Sequence, residues 1–411
     1  MTAFAIPITL GALWPRNAVI VQRPPDDALD WLPRTLSWYD RSSAAPLPLA
    51  GALPIICHEA AVTLPALQLL RDCGLPLPAE IITYRDCEHM RALVTHQVRR
   101  GRRVGITYTS RRLLAPVDAY VNQPGMHAAL NDKARLATLL PPDAVPRRRV
   151  VETADLPCVL QEGRAPLPIV LKASTRLGSG AGCDVAICHS PDDLEPAFRR
   201  LAPAEHVVIE EFHEFAETWC LHFAIGDAGV VYCGGAEQVC DEGGVYQGNW
   251  CQQGAGPGQE AIEFACHAAR AGWSLGYRGF LGVDVGRTRE GRWLAYDLNF
   301  RVNGSTIQVL LRDSVAREWG AACTRICYGV RFRGPFAAMV ERLWTFHSRR
   351  QLVPLLAFDL ERVDAAERDP ICNLLATGTS REAVTAILDA LGEAGFDLGA
   401  VGIRQPARRA G

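Results

Sequence analysis

Short apolar runs separated by stretches of helical spacing organise the first quarter of the chain. Runs at 18–21, 53–57, 80–83 and 103–107 have the length of buried strands, and 60–73 and 86–100 between them repeat apolar residues at helical intervals. That rhythm predicts a small parallel α/β domain over residues 1–120. Further strand-like runs occur at 168–172, 184–188, 207–210 and 219–225, then a helical stretch at 261–276 and a strand pair at 280–285 and 293–298. Past about 330, runs at 352–358 and 371–376 precede a helix over 380–391. Ser380 is suited to its N-cap and Gly392 or Gly395 to its end. The expected organisation is therefore α/β throughout: a first domain at 1–120, a second at 121–330 and a small third unit at 331–411.

Composition narrows the class. The 411 residues carry 43 Lys and Arg against 45 Asp and Glu, a net charge of −2, and are 48% hydrophobic. Several cores fit in such a chain, and its balanced charge gives no reason to expect nucleic acid or a membrane surface as partner. No uncharged run of about 20 residues exists, so neither a signal peptide nor a membrane span is expected, and the expected compartment is the cytoplasm. The 14 cysteines contain no C-x-x-C pair, which removes zinc-ribbon spacing and leaves free thiols in a reducing compartment. The basic residues are lopsided: Lys133 and Lys172 are the only lysines, and the rest are Arg. Where lysine persists against such a bias, a compact point charge on a thin stem does what a planar fork cannot.

Lys172 opens a run Lys172-Ala-Ser-Thr-Arg-Leu-Gly178-Ser179-Gly180-Ala181-Gly182. Glycines at alternate positions let backbone amides approach phosphate oxygens and let the loop move. It is neither a Walker loop nor a dinucleotide fingerprint, since a strand follows it rather than a helix. Taken alone it is also what an ordinary flexible hairpin looks like. A second piece, Val207-Val-Ile-Glu210-Glu211-Phe212 with Glu217 beyond it, is an apolar strand entering an acidic bend. Such a bend suits an adenine edge and ribose hydroxyls, or simply a solvated charge pair. The third piece is Asp284 followed by Asp297-Leu-Asn299-Phe-Arg301-Val-Asn303-Gly-Ser305. Asp297 and Asn299 alternate on one strand face, and Asp284 on the preceding strand can join them. Three hard oxygen ligands suit Mg²⁺, and Arg301 on the same face suits a phosphoryl group or a tetrahedral oxyanion.

Lysine, glycine hairpin, Glu-Glu bend, trailing Glu and Asp…Asp-x-Asn-x-Arg follow the order and spacing of the ATP-grasp superfamily, and Asn131-Asp132-Lys133 supplies its earlier lysine. The resemblance covers about 125–310. With the domain before it, the Tyr277-Arg278-Gly279 run and the small unit after 330, the chain looks most like the pheganomycin-type peptide ligases. It implies a Rossmann-like pre-ATP-grasp domain, a two-lobed ATP-grasp domain of α+β core with its lid at about 150–210, and a small C-terminal α/β domain. One departure is Asp297, where the family more often has Glu.

The resemblance further implies ATP and Mg²⁺ as cofactors and a small carboxylate and an amine as partners. The reaction would make an amide through an acyl phosphate, release ADP and phosphate, and belong to specialised metabolism. Lys133 and Lys172 would neutralise phosphates under the Gly178, Ser179, Gly180, Ala181, Gly182 loop. Glu210, Glu211 and Phe212 would frame adenine, the backbone of the latter two making the contacts, and Glu217 would bind ribose. Asp284, Asp297 and Asn299 would hold the metal, with Arg301 and Lys172 catalytic. The polar, aromatic, loop-like stretch at 236–250, including Glu237, Gln238 and Asn249, is a pocket-wall candidate, joined by Arg278, Asn303 and Ser305. His213 and His222 are expected to pack rather than react. A thiol or hydroxyl acceptor, or an ATP-binding regulator without turnover, are the alternatives, and a homodimer is compatible with the superfamily.

Overall fold

The four N-terminal runs become β1 (Ala18–Val21), β2 (Ile55–His58), β3 (Ile81–Tyr84) and β4 (Arg103–Ile106), a parallel sheet in the order β3-β2-β1-β4. The computed structural model describes residues 3–24, 36–161, 166–177, 182–240, 246–363 and 369–398. Helix Cys87–Arg99 packs on β3 and β4, helix Leu64–Asp72 packs against strand Leu352–Phe358 and helix Phe336–Ser348, and each begins where a side chain satisfies an open amide. Thr63 Oγ1 accepts from Ala66 N at 3.3 Å, and Asp86 Oδ1 accepts from His89 N at 2.8 Å.

A second sheet is wholly antiparallel. It comprises β5 (Arg148–Glu152), β6 (Ile169–Ser174), β7 (Val185–Cys188) and β8 (His206–Glu211), ordered β5-β8-β6-β7. β6 and β7 flank the glycine-rich turn, of which Gly178, Ser179, Gly180 and Ala181 lie outside the described residues. β5 arises where the sequence suggested only Pro- and Arg-rich punctuation. Pairing with β8 supplies the hydrogen bonds that its charged, half-exposed residues do not advertise.

The third sheet is the backbone of the molecule. β9 (Phe215–Gly226), β10 (Gly229–Cys240), β11 (Tyr246–Gln252), β12 (Gly279–Thr288), β13 (Trp293–Asn299), β14 (Cys323–Phe332), β15 (Leu352–Phe358) and β16 (Ile371–Gly378) run in the order β13-β12-β9-β10-β11-β14-β16-β15. β17 (Phe396–Asp397) pairs with β14. The stretch read as loop-like at 236–250 is thus strand at 229–240 and 246–252. Its polar residues face a polar site rather than a core, so the alternation that marks a strand is lost. Nor do the strands past 330 form a sheet of their own. β14 straddles that position, and its pairing with β11 continues the central sheet.

Helix Gln259–Ser274 lays Ala261, Ala265, Ala268 and Ala269 on the sheet, and helix Arg381–Glu393 starts at Ser380, whose Oγ accepts from Ala383 N at 3.2 Å. Gly395, at φ +99°, follows its end in the left-handed region. Leu343 and Phe346 are core residues, with Trp344 partly buried against them. All fourteen cysteines are free thiols, and among the described residues no helix is long and apolar enough to cross a membrane.

The N-terminal sheet docks on the central one through Trp14 and Asn122. Trp14 Nε1 and Asn122 Nδ2 each donate to Arg278 O at 2.8 Å, and Arg278 N donates to Asn122 Oδ1 at 2.9 Å. Trp14 lies flat against Gly105, where an added Cβ would come within 2.1 Å of the indole. Gly105→Ala is therefore expected to lose about 1–3 kcal/mol, the usual cost of overpacking. Denaturant unfolding followed by tryptophan fluorescence measures it, and an unchanged midpoint would contradict the docking role.

Candidate active site

The floor of the site is the β12–β13 pair. Asp284 stands directly opposite Asp297 in the register, with Asn299 two residues on along the same face. Burial and the facing charge of Asp297 push the Asp284 carboxyl up to about 6. Burial works the same way on Asp297, but the Lys133 ammonium outweighs it and holds that carboxyl below the usual range. Asp284 accepts from Gln238 Nε2 at 3.0 Å and Asn299 Nδ2 at 3.1 Å, and the Tyr296 hydroxyl donates to Gln238 Oε1.

The roof is the four-stranded sheet, and two lysines join it to the floor. Lys172 on β6 donates to Glu210 Oε1 on neighbouring β8 at 2.5 Å and to Tyr296 O on β13 at 2.8 Å. Lys133 donates to Asp297 Oδ2 at 2.8 Å and lies 3.3 Å from Asp184 Oδ2 at the foot of β7. Burial lowers the Lys172 pKa, and Arg148 adds to this against the pull of Glu210. For Lys133 burial is outweighed by Asp184 and Asp297 together, which raise it. Arg148 on β5 completes the roof by pairing with Glu210 Oε2 and donating to Lys133 O at 3.0 Å.

Local hydrogen bonds fix the loop that carries Lys133. Asp132 Oδ1 accepts from Ala134 N at 3.0 Å and Ser174 Oγ at 2.6 Å, while Asn131 Oδ1 accepts from Phe300 N at 2.8 Å. Just past β13, the Arg301 guanidinium donates to Asn299 Oδ1 at 2.5 Å and Asn303 Oδ1 at 3.1 Å. It also lies over the Tyr108 ring of the N-terminal domain, 5.4 Å from its centre.

Of the residues singled out by sequence, Lys133, Lys172, Glu210, Gln238, Asp284, Asp297, Asn299, Arg301 and Asn303 come together here. The Glu210 side chain points into the ion cluster rather than along an adenine edge. Glu211 is exposed and its N–H donates to Arg147 O at 2.9 Å, so that amide is already engaged; Phe212 meets the His189 ring edge-on. Glu217 accepts from Trp219 Nε1 at 2.9 Å beside Arg287. Gly182 is at φ +71°, just before β7.

The outer substrate candidates divide. Glu237 pairs with Arg381, whose guanidinium lies on the Trp250 ring. Asn249 is buried, accepting from the Tyr246 hydroxyl and donating to Ala236 O at 3.4 Å. Ser305 is buried against His222 at 2.8 Å, and burial lowers that imidazole to about 3, which keeps it neutral. His213 lies beside Glu211 and Phe215. Arg278 is not brought to the site: it sits six residues before Asp284, where its side chain pairs with Asp227 at the β9–β10 turn.

Sequence reading missed Arg148, Asp184, Tyr296 and Tyr108. Each acts through a partner distant in the chain, and the one available signal was an isolated Asp between the glycine turn and a strand. As a metal site, the paired carboxylates of Asp284 and Asp297 fit a hard cation that would relieve their repulsion. Asn299 would contribute after turning its amide, because its oxygen now faces Arg301.

A family model described as "L-aspartate--L-methionine ligase, ATP grasp" matches residues 146–299, and one described as "L-aspartate--L-methionine ligase N-terminal domain" matches residues 9–128. Together they span about two thirds of the chain. The chain belongs to the ATP-grasp superfamily. Its ATP-grasp domain binds ATP, and the protein is an ADP-forming ligase that makes an amide bond between amino acids.

Solved structures share the fold at low identity. N5-carboxyaminoimidazole ribonucleotide synthetase from Thermus thermophilus is 15% identical, with TM-score 0.54, covering 95% of this chain and 100% of that one. An ADP complex of the Staphylococcus aureus N5-carboxyaminoimidazole synthetase is 11% identical, with TM-score 0.55 and coverages of 95% and 99%. Campylobacter jejuni biotin carboxylase is 11% identical, with TM-score 0.55, covering 92% of each chain.

The ion cluster of this ATP-grasp site makes a sharp expectation. Glu210→Gln leaves Lys172 and Arg148 buried without their shared anion, so a loss of about 3–5 kcal/mol is expected. ATP should restore more stability to this variant than to the parent, because its phosphates replace the missing anion. Thermal unfolding with and without nucleotide measures both. Parental stability in the variant would contradict the assignment.

Proposed function

We propose that this ligase joins two amino acids, L-aspartate supplying the carboxylate and L-methionine the amine. The observation that carries the reading is the match of adjacent segments to models of one ligase family, laid over a site that holds every charge the chemistry needs. Within the superfamily we place it among the amino-acid and peptide ligases, with the aspartate–methionine family as nearer guide than the pheganomycin-type enzymes. Free thiols throughout suit a cytoplasmic enzyme.

The roles follow from charge development. Lys133 and Lys172 exchange their carboxylate partners for phosphate oxygens as the triphosphate enters between the sheets. Asp284, Asp297 and Asn299 would hold Mg²⁺, which would neutralise charge on the phosphates. A carboxylate oxygen of aspartate attacks the γ-phosphorus, ADP leaves, and the acyl phosphate forms. The methionine nitrogen then attacks the acyl carbon, phosphate leaves with the bonding electrons, and the nitrogen loses a proton. Arg301, held by Asn299 and Asn303, faces the transferring phosphoryl group and then the oxyanion. Phe212 frames adenine and Glu217 takes ribose.

The test is ADP release by purified protein with Mg²⁺, ATP, aspartate and methionine, with mass spectrometry of the products. Release that needs both amino acids, with a new mass equal to their sum less water, is expected. Comparison with the two synthetic dipeptides fixes which carboxylate was activated. ADP formation without a condensed product, or none with this pair, would overturn the substrate assignment. Lys172→Arg should lose at least 100-fold in turnover, roughly the cost of misplacing one transition-state contact, although the charge remains. Parental turnover would remove the role given to that lysine.

A further inference from the structure

Behind Asp284 and Arg301 the buried polar side chains form one connected row. Arg301 Nη1 donates to Asn303 Oδ1 at 3.1 Å, and Asn303 N donates to Thr306 Oγ1, at the start of helix Thr306–Trp319, at 2.8 Å. Thr306 Oγ1 lies 3.3 Å from His222 Nδ1 on β9, and His222 Nε2 lies 2.8 Å from Ser305 Oγ. Cys220, two residues before His222 on the same face of β9, stands opposite Asp284 in the β9–β12 register. Its thiol is within hydrogen-bonding reach of both the Asp284 carboxylate and the Ser305 hydroxyl. The two ends of the row close over Gly282, where an added Cβ would come within 2.5 Å of Asn303 Nδ2 and 3.0 Å of Cys220 Sγ. A helix cap alone would need Thr306 but neither His222 nor Cys220.

Cys220, His222, Ser305 and Thr306 are all buried, so the protons of the row are shared among its own members. The carboxylate end fixes their direction. As a metal ligand Asp284 is ionised and can only accept, so the Cys220 thiol donates to it and the Ser305 hydroxyl donates to Cys220 Sγ. The imidazole is neutral and carries one proton, because burial lowers it to about 3. With its own hydrogen on Cys220, Ser305 Oγ accepts that proton from Nε2. Nδ1 then accepts from the Thr306 hydroxyl, whose oxygen in turn accepts from Asn303 N.

We propose that Cys220, Ser305, His222 and Thr306 are positioning residues, a one-way chain of hydrogen bonds that ties the orientation of the Asp284 carboxylate to that of Asn303 and, through it, of Arg301. The proposal rests on the reading that Asp284 holds the metal and Arg301 faces the transferring phosphoryl group. It places Ser305 behind the site rather than in a substrate pocket. It also makes the metal floor and the arginine one preorganised unit, so that reorienting either disturbs the other.

The proton on His222 reads this chain directly. Nitrogen NMR of protein carrying isotopically labelled histidine, with the His222 signals assigned by their loss in His222→Gln, should show Nε2 protonated and Nδ1 bare across neutral pH. Cys220→Ala removes the acceptor of the Ser305 hydrogen, which then turns to Nε2 and moves the imidazole proton to Nδ1. Cys220→Ser both donates and accepts, and should keep the parental tautomer. Turnover should follow the tautomer. In Cys220→Ala, kcat for ADP release with aspartate and methionine should fall about tenfold, as for loss of a partner behind a metal ligand, with KM for ATP within about twofold. Cys220→Ser should restore it. A proton on Nδ1 in the parent, a tautomer indifferent to Cys220→Ala, or parental kcat in that variant would each overturn the chain. A parent enzyme that does not turn over this amino-acid pair would instead overturn the substrate assignment, and the tautomers would decide the chain by themselves.

Discussion

Two buried ammonium groups bridging two sheets are the constraint on which the rest of this structure depends. Lys133 and Lys172 are both largely buried, so each must be surrounded by anions or acceptors, and the sheets must bring those groups together. The roof contributes Asp184 and Glu210; the floor contributes Asp297 and the carbonyl of Tyr296. The lysines therefore set the separation and register of the lid against the central sheet. Under the proposed function, the anions around them stand where the phosphates of a nucleotide would lie.

The same arrangement divides charge in a way that suits acyl activation. Two facing carboxylates on the floor repel one another, which is tolerable beside Lys133 and favourable to a cation. On the roof, Lys172 and Arg148 share one glutamate. Arg301 stands at the edge of this field, held by two asparagines and resting on a tyrosine from another domain. Three parts of the chain thus converge on one reacting centre, and the continuous central sheet keeps them in register through β9, β12 and β13.

Legibility from sequence followed the locality of the signal. The parallel domain was readable because its strands are buried apolar runs, and the grouping of Asp297, Asn299 and Arg301 because they alternate along β13 and the residues just past it. Lysine scarcity pointed at Lys133 and Lys172 before any geometry. Arg148 and Asp184 were illegible because their partners lie 62 and about 50 residues away, Arg148 meeting Glu210 by sheet pairing and Asp184 meeting Lys133 where the loop that carries it folds under the roof. The β10–β11 pair was misread because a strand facing a polar site lacks apolar alternation. The expected break near 330 was misplaced because β14 there is a member of the larger sheet.

A crystal structure with Mg²⁺ and a non-hydrolysable ATP analogue measures the central claim most directly. The expected result places phosphate oxygens within hydrogen-bond distance of Lys133 and Lys172, with Asp297 released from Lys133 and turned to the metal beside Asp284. A nucleotide bound elsewhere, or one bound between the sheets while Lys133 keeps its contact with Asp297 and no metal is held, would contradict it.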